Sequence, residues 1–509
     1  MLYSPPRPTA LRRARARLRS VQIRFHPTVG GLLLVLLGFH ALTFRPEVWW
    51  GDSYQYVLHA QNLIAGQPYA ATGYLPSPYG YSAPGAYPVG YPTLLALLLA
   101  SVGLNAKAIA LLGSLFVLGT AWVTATLARG WLPDPFAIAI AVLLGLQPGL
   151  IAMSRVPLAD PSFVFFVMLC LWMAERASYQ TDRWGRWALV AGLALGAAAL
   201  TRTLGLVLIP ALLAPGLIRR RSLERPALRA VGIGAALWLA VSLFPLGATP
   251  TDASPGAIPP AQTELLRQLV EAPARIPGRI VDYMRASFPL WEVPGLDVLK
   301  NILFAVALLP VGVGVLHRVR RRFGPAESFA LLYGLAILLL AGSGTRDLYP
   351  LYPIYYLYLV VGVWRLGRDR LGRQWATTAA LAAAVTLSYG GRYAHWAIGP
   401  PGAMVSERDL SVYRALRDAS PEDAIALTTH DPRPAVYHAR RRVAHGPDTV
   451  PEWLAYADAI GATYALVRDD GEVARGLLAD RRHQLVARDG RLTLYRVCET
   501  ACVETPEDG

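Results

Sequence analysis

The chain has 509 residues, of which 54% are hydrophobic and only 16% are charged, a combination too apolar for an ordinary soluble protein of this size. The formal net charge of +15 could suggest a nucleic-acid partner, but the arginines fall in short clusters between apolar runs, as they do in cytoplasmic loops. We therefore predict a polytopic membrane protein with no nucleic-acid partner.

The N-terminal segment 1–26 is rich in arginine and precedes the first apolar run at 27–45. No small-residue cleavage pattern follows this run, so we expect the first helix to be retained and the basic tail to be cytoplasmic. Three cysteines are too few for a disulfide framework. Cys498 and Cys502 could pair if the C-terminus is extracytoplasmic.

Apolar runs suited to crossing a bilayer, some of them short, recur along the whole chain. They cover about 27–45, 106–128, 133–153, 161–177, 186–201, 203–218, 228–246, 298–316, 327–342, 349–365 and 375–391. A further run at 91–104 is shorter than the ~20 residues that a span needs. If this run spanned the bilayer, the later arginine-rich loops would lie on the outside. If it lies along the outer interface instead, those loops lie on the inside, as the positive-inside rule requires. We therefore predict about eleven spans, interfacial helices in the first outer loop, and an extracytoplasmic C-terminus.

This topology divides the chain into three parts. A basic cytoplasmic tail (1–26) precedes a membrane domain (27–395), whose extracytoplasmic parts include a first loop at 46–105 and a further segment at 247–297. The last part, 396–509, changes composition and is predicted to be a small extracytoplasmic α/β domain. Its helix-like stretches are 407–418 and 451–460, and its strand-like stretches are 424–428, 464–467 and 492–497.

Two acidic residues are predicted at the same outer face. Asp52 follows the first span, one residue after a pair of tryptophans, and Asp160 precedes Pro161 in the next short outer turn. Asp52 could act as a general base or orient an attacking hydroxyl, since a carboxylate at a low-dielectric boundary is a stronger base than in water. Each Asp could equally cap a helix N-terminus. Two carboxylates on one face favour a catalytic role more than either does alone.

Two arginines are predicted near the same face. Arg202 is the only charge near the middle of a long apolar stretch, and an arginine in hydrocarbon must face a cavity, a partner or the interface. It could bind a phosphate bidentately or form an ion pair with Asp160 or Asp52. Arg346 offers a second cation, for which pairing with adjacent Asp347 or with lipid headgroups is the alternative.

Aromatic and histidine side chains complete the predicted site. They could line a groove for a sugar or an isoprenoid chain, although interfacial aromatic residues more often serve as membrane anchors. The remaining candidate substrate-binding residues are Tyr54, Tyr56, His59, Tyr87, Tyr91 and Tyr349.

These motifs resemble a known family. They are Asp52 followed by Tyr54 and Tyr56, the aromatic Pro/Gly element at 87–92, Asp160-Pro161, and Leu-Thr-Arg at 200–202. Together they resemble the integral-membrane GT-C glycosyltransferases, and most of all family 39, the protein O-mannosyltransferases and aminoarabinose lipid A transferases. The resemblance implies a GT-C-like fold in the plasma membrane and inverting transfer, on the extracytoplasmic face, from a polyprenyl-phosphate-linked sugar to an acceptor lipid, glycan or protein. It also implies that Asp52 lies near the acceptor as the base and that Asp160 supports the site.

Two departures from this pattern matter, the first being that the C-terminal domain carries no motif that names an acceptor. The second is that many relatives have Lys or His just before a Pro-Pro pair in the interfacial helix, where this chain has Ala86, Tyr87 and Pro88. The donor phosphate must then be bound by other residues, and Arg202 and Arg346 are the candidates.

We expect no cofactor. A lipid-phosphate sugar is already activated, and the sequence lacks the Asp-x-Asp motif with which nucleotide-sugar enzymes often hold a metal. A divalent cation such as Mg²⁺ or Mn²⁺ between Asp52 and Asp160 is the less favoured alternative.

Two other functions are possible from the sequence: a transporter or flippase of lipid-linked sugars, and a non-catalytic membrane scaffold. Carriers tend to place ionisable groups at mid-membrane within related halves, whereas the acidic residues here gather at outer helix ends and no two halves match. The pattern therefore favours an enzyme.

Overall fold

The computed structural model of the chain describes residues 27–45, 49, 51–79, 86–179, 183–243, 273–283, 297–339, 345–367, 389–390, 393–394, 407–468, 471–479 and 483–498. The predicted cytoplasmic tail (1–26) lies outside these residues, as do Cys502 and most of the span predicted at 375–391. Of the segment predicted at 247–297, only 273–283 and the first residue of the next helix are described.

The larger part of the described fold is a bundle of helices. The helices are α1 Pro27–Leu42, α2 Asp52–Ala65, α3 Gly90–Val102, α4 Ala106–Ala128, α5 Asp134–Gly145, α6 Pro148–Ser154, α7 Asp160–Tyr179, α8 Trp184–Thr201, α9 Leu208–Arg220, α10 Arg225–Ser242, α11 Asp297–Arg321, α12 Pro325–Leu339 and α13 Tyr352–Leu366. Two 3₁₀ segments, Thr203–Val207 and Thr345–Leu351, precede α9 and α13.

Within the described residues, three helices (α4, α7 and α8) are long and apolar enough to cross a membrane. α5 and α6 meet at a bend of 53° and would make a fourth candidate if they form one broken span. The bend falls where Gln147 accepts a hydrogen bond from the backbone of Leu150 and Pro148 starts the new helix. Several other helices are apolar but shorter, so the predicted count of about eleven spans stays a prediction.

Helix α3 corresponds to the ambiguous apolar run. Its 13 residues give a length of about 20 Å, less than the ~30 Å hydrocarbon core of a bilayer. Its start packs tightly on the end of α8, because a Cβ atom at Gly90 would lie 2.7 Å from the carbonyl oxygen of Leu200. The first loop is thereby joined to the bundle close to Arg202.

The end of the bundle away from α2 holds a buried group of charges. Arg318 on α11 pairs with Glu175 on α7 and, at 3.3 Å, with Glu327 on α12. The Tyr358 hydroxyl donates to Glu327. A buried guanidinium is tolerated only when it is paired in this way, so the group fixes four helices relative to one another.

Residues 407–498 form a sheet covered by helices on both faces. The elements are α14 Glu407–Ala419, β2 Ile425–Thr428, α15 Pro432–Ala439, β3 Arg442–His445, α16 Val450–Ile460, β4 Tyr464–Arg468, α17 Glu472–Ala479, β5 His483–Asp489 and β6 Leu492–Val497. Apolar residues of α14 and α15 pack on one face, and those of α16 and α17 pack on the other. We call this the sheet domain. Its last strand leads to Cys498, which is disulfide-bonded.

One strand of this sheet comes from the first loop. Strand β1, Tyr74–Leu75, pairs in parallel with β3, so the strand order is β1-β3-β2-β4-β6-β5. The strands β1, β3, β2 and β4 run parallel to one another, whereas β6 runs antiparallel to β4 and β5. Leu58 of α2 also belongs to the apolar core on the α14 and α15 face. The first loop and the sheet domain are therefore one packed unit above the bundle.

Candidate functional site

Asp52 lies at the centre of a charged cluster between the bundle and the sheet domain. It begins α2, but Gly51 occupies the N-cap position and no side chain caps this helix, so the capping alternative is not what the structure shows. The carboxylate instead pairs with Arg346 through Oδ2 and with Arg433 through Oδ1. The hydroxyl of Tyr87 donates a further hydrogen bond to Oδ1. Asp52 itself is only 4% exposed.

Arg433 reaches this carboxylate from the sheet domain. It stands in the first turn of α15, where Asp431 holds its guanidinium through two oxygens, at 2.8 and 2.9 Å. It also donates to the Tyr87 hydroxyl at 3.1 Å. Arg433 packs directly on Gly51, whose φ of 23° suits glycine and where any Cβ atom would overlap the guanidinium. The sheet domain thus completes the surroundings of Asp52.

A second chain of charges lies beside the first. Arg202, at the C-terminal end of α8, pairs with Asp160 at the start of α7 and, at 3.0 Å, with Asp347. All three side chains are at most 17% exposed. Arg346 connects the two groups of charges, because it pairs with Asp52 and also interacts electrostatically with Asp160. The ion pair that the sequence offered as an alternative for Arg202 is therefore present in the structure.

The charges around Asp52 set its protonation. Burial raises the pKa of the carboxyl, but Arg346 and Arg433, together with the hydrogen bond from Tyr87, outweigh burial and hold the pKa below its ordinary value. Asp52 is therefore ionised at neutral pH and is a weaker base than the sequence argument assumed. An ionised carboxylate at this position can orient a hydroxyl and accept its proton as that hydroxyl becomes acidic during attack.

Three tyrosines form a wall next to the charges. The ring of Tyr56 lies 4.7 Å from that of Tyr87 and 5.2 Å from that of Tyr91. Tyr56 also interacts electrostatically with Arg202 and Asp52. These predicted residues are thus brought together with the acids and arginines. Tyr56 and Tyr91 are buried within the protein, and Tyr87 is the partly exposed member of the three.

The other predicted aromatic residues lie apart from the charges. Tyr54 points toward the sheet domain, with its ring 5.3 Å from that of Tyr437. Tyr349 is buried against Tyr352 at 5.3 Å. Their contacts are with protein side chains, so the structure does not group them with Asp52 as the sequence analysis did.

His59 is also enclosed by protein. It is fully buried, its Nδ1 donates to the carbonyl oxygen of Tyr69 at 2.8 Å, and its Nε2 accepts from the backbone N–H of Tyr87 at 3.4 Å. Both ring nitrogens are occupied, which leaves none for a substrate. His59 instead positions the segment that carries Tyr87.

Protonation of His59 is expected to weaken the fold. Burial lowers its pKa to about 4, although the Tyr69 hydrogen bond acts in the opposite direction. Below pH ~6.5 His59 binds a proton in the unfolded chain but stays neutral in the folded chain. The free energy of unfolding therefore falls by about 2 kcal/mol between pH 7.5 and pH 5. His59→Asn keeps a donor for Tyr69 and does not titrate. Its melting temperature in detergent should therefore fall less than that of the wild type over this range, and equal pH dependence would refute the assignment.

The acids of the cluster do not fit a metal ion. Both oxygens of Asp52 and one oxygen of Asp160 face guanidinium groups, which occupy the positions a divalent cation would need. Across the described part of the chain, no three His, Cys, Asp or Glu side chains are arranged to hold a metal. The arrangement therefore suits a phosphate at the arginines better than a cation at the carboxylates.

Sequence reasoning missed Arg433, Asp431 and the role of Asp347 beyond that of a neighbour to Arg346. Arg433 belongs to an Asp-Pro-Arg-Pro run in the tail. An arginine between two prolines, with an acidic residue directly before them, is the local signal that could have drawn attention to this position.

Comparison with protein families gives one match. A family model described as dolichyl-phosphate-mannose-protein mannosyltransferase matches residues 101–220. This region runs from the end of α3 to α9 and includes Asp160 and Arg202. A search of curated protein sequences gives no significant match.

Solved structures with a similar fold come from membrane glycosyltransferases. ArnT from Cupriavidus metallidurans in the apo state has a TM-score of 0.57 at 13% identity, over 92% of this chain and 97% of that chain. The Archaeoglobus fulgidus oligosaccharyltransferase, in complex with Zn and sulfate, has a TM-score of 0.60 at 14% identity, over 86% and 68%. The arabinofuranosyltransferase AftD from Mycobacteria has a TM-score of 0.50 at 14% identity, over 92% and 40%. The resemblance inferred from the motifs is thereby confirmed: this chain has the fold of the GT-C superfamily of membrane glycosyltransferases and is similar to family 39.

Proposed function

We propose that the chain is a membrane glycosyltransferase that moves a sugar from a polyprenyl-phosphate donor to a hydroxyl or amine of an acceptor. The observation that carries the proposal is the meeting of Asp52, Asp160, Arg202 and Arg346 in one buried cluster with an aromatic wall. These residues lie far apart in the sequence and on separate elements, and the GT-C-like fold brings them together.

In this proposal Arg346 binds the donor phosphate. Among the arginines of the cluster it has the most exposed side chain, at 23%, against 17% for Arg202 and 4% for Arg433. A guanidinium offers five donors, so Arg346 can keep Asp52 on one edge and receive phosphate oxygens on another. Arg202, held between Asp160 and Asp347, acts on the donor mainly by fixing the acids around Arg346.

In this proposal Asp52 is the general base that takes the proton of the acceptor. The acceptor oxygen or nitrogen attacks the anomeric carbon of the sugar while the bond from that carbon to the phosphate oxygen breaks, which inverts the configuration. The acceptor proton passes to Asp52, and the departing polyprenyl phosphate keeps the bonding electrons. Arg346 stabilises the negative charge that builds on this phosphate. This interaction strengthens as the bond breaks, which lowers the activation barrier.

The proposal places the site on the extracytoplasmic side of the plasma membrane. The opposite ends of the helices carry the arginine-rich segments, among them Arg318–Arg322 at the C-terminal end of α11 and Arg219–Arg221 at the C-terminal end of α9. The positive-inside rule assigns these ends to the cytoplasm, with the N-terminus there and the sheet domain outside. With this orientation we also propose that the chain crosses the membrane about eleven times and that α3 lies along the outer interface.

The structural neighbours support a lipid-linked donor. One structure of ArnT from Cupriavidus metallidurans is bound to undecaprenyl phosphate, and one of AglB from Archaeoglobus fulgidus contains an inhibitory peptide and a dolichol-phosphate. Both lipids are polyprenyl phosphates. A donor of this class is therefore the natural first substrate to test with this chain.

Turnover of a donor panel tests the function. The purified protein in lipid nanodiscs is incubated with polyprenyl-phosphate sugars and an extract of membrane acceptors, and released polyprenyl phosphate is measured. We expect release with at least one donor, and at least about 10-fold less with Arg346→Gln, because the charge that meets the phosphate is gone. Arg186→Gln, an exposed change on α8, serves as the matched control. Turnover of nucleotide sugars but of no polyprenyl-phosphate sugar would refute the proposal.

A further inference from the structure

A cavity of about 400 Å³ lies between the sheet domain and the first loop, apart from the charged cluster. Trp49 and Tyr54 line it on the side of the first loop, and Tyr437 and His438 of α15 line it on the side of the sheet domain. The volume is in the range that binds small molecules and lipid headgroups.

The cavity and the cluster lie on different faces of α2 and are lined by successive turns of α15. Tyr54 follows Asp52 by two positions on α2, and at about 100° per residue the two side chains point in nearly opposite directions. On α15, Arg433 contacts Asp52, whereas Tyr437 and His438 contact Tyr54 at 5.3 and 5.6 Å. The cavity is therefore a separate site next to the reaction centre.

The polar lining of the cavity is cationic. Arg414 and Arg417 lie three residues apart on α14, so their side chains share one face of that helix, and both are exposed. Arg417 also donates through Nε to Asp418 on the solvent side. The Nε2 atom of His438 is buried and has no hydrogen-bond partner within the described residues. The residues that line the cavity include no carboxylate.

The remaining lining is aromatic and apolar. The ring centroids of Trp49 and Tyr437 are 6.1 Å apart. Leu104, half exposed, lines the edge next to the end of α3. Leu97, which lies on α3 seven residues before Leu104, is exposed as well and forms with it an apolar strip along α3, away from the cavity. A ligand with an anionic head and an apolar tail matches both parts, because two guanidiniums face the head and the strip faces the tail.

We propose that this cavity binds the phosphate-bearing headgroup of a membrane amphiphile. Arg414 and Arg417 hold the phosphate, the His438 Nε2 atom meets a polar group of the head, and Trp49 and Tyr437 pack against its carbon skeleton. The tail follows Leu104 and α3. The assignment does not rest on the proposed transfer reaction, since binding is measured without turnover.

Calorimetric titration of the full-length protein in an uncharged detergent tests the assignment. The probe is dihexanoyl phosphatidic acid, compared with dihexanoyl phosphatidylcholine, which has no net charge, and with glucose 6-phosphate, which has no tail. We expect the phosphatidic acid to bind at least about 10-fold more tightly than either comparison ligand, since each lacks one of the two matched parts.

The variant Arg414→Gln/Arg417→Gln should weaken phosphatidic acid binding by about 10-fold or more. Arg408→Gln/Arg475→Gln removes the same charge from exposed positions of the sheet domain outside the cavity and should leave binding unchanged. Equal loss in both double variants, or no loss in the first, would overturn the site. Equal binding of phosphatidylcholine would overturn the role of the arginines, and equal binding of glucose 6-phosphate would assign the cavity to a soluble phosphosugar rather than to a lipid.

Discussion

Asp52→Asn is expected to reduce sugar transfer by about 100-fold or more while leaving the protein folded. The amide cannot take the proton of the acceptor substrate, and it carries no negative charge to hold the Arg346 guanidinium in place. The fold should survive because Arg433 keeps its two bonds to Asp431 and Arg346 keeps the charge of Asp160 nearby. Initial rates with saturating donor, measured on purified protein, give the comparison.

Two controls make this result specific. Asp458→Asn removes an exposed carboxylate of the sheet domain and should transfer at the wild-type rate. The elution volume and melting temperature of the Asp52 variant report its folding. Transfer within about threefold of the wild type, in a folded Asp52→Asn protein, would remove Asp52 from the chemistry, since loss of a general base costs at least about 100-fold.

Arg202→Ala should be the most destabilising single change at the site. It leaves two buried carboxylates, Asp160 and Asp347, without their shared guanidinium. Breaking a buried ion pair by removing one partner typically costs about 3–5 kcal/mol, because the remaining charge stays desolvated. We therefore expect a lower melting temperature in detergent and less folded protein in membranes.

The matched control for this change lies on the same helix. Arg186→Ala near the start of α8 removes an exposed arginine and should leave the melting temperature unchanged. If Arg202→Ala melted like the wild type and only bound donor more weakly, Arg202 would be a phosphate ligand rather than the structural pair. Adding Asp160→Asn to Arg202→Ala should restore part of the stability, because one of the stranded charges is then removed.

The membrane part of the site could be predicted because hydrophobic runs mark the spans and arginine-rich loops indicate the cytoplasmic side. Once α3 is set aside as too short to span, Asp52, Asp160, Arg202 and Arg346 fall at one end of the helices, and the structure brings all four together. Continuous apolar runs also predicted helix positions near those found, such as α4 at Ala106–Ala128. It could not give the number of spans, because several of the apolar helices are shorter than a bilayer is thick.

The contacts of the sheet domain could not be predicted. Arg433 and Asp52 are 381 residues apart, and no local pattern encodes a pairing over that separation. Strand β1 has two residues and gains its hydrogen bonds only from β3, so no alternation could mark it. Elements with few apolar residues, such as α15 and β3, were also absent from the sequence-based prediction.

Side-chain direction accounts for the other differences. Tyr54 and Tyr56 are near neighbours in sequence, but a helix turns them to different faces: Tyr56 packs beside the charges and Tyr54 against Tyr437. His59 was grouped with the site by its position on α2, yet burial and two backbone partners make it a support for Tyr87. Composition indicates which residues are capable of chemistry, and packing decides which of them meet.

A density map of the protein with undecaprenyl phosphate bound tests the central claim most directly. We predict phosphate oxygens within hydrogen-bond distance of the Arg346 guanidinium, beside Asp52 and the Tyr56 ring. A phosphate bound instead at the opposite end of the bundle, near Arg219 and Arg322, would contradict it.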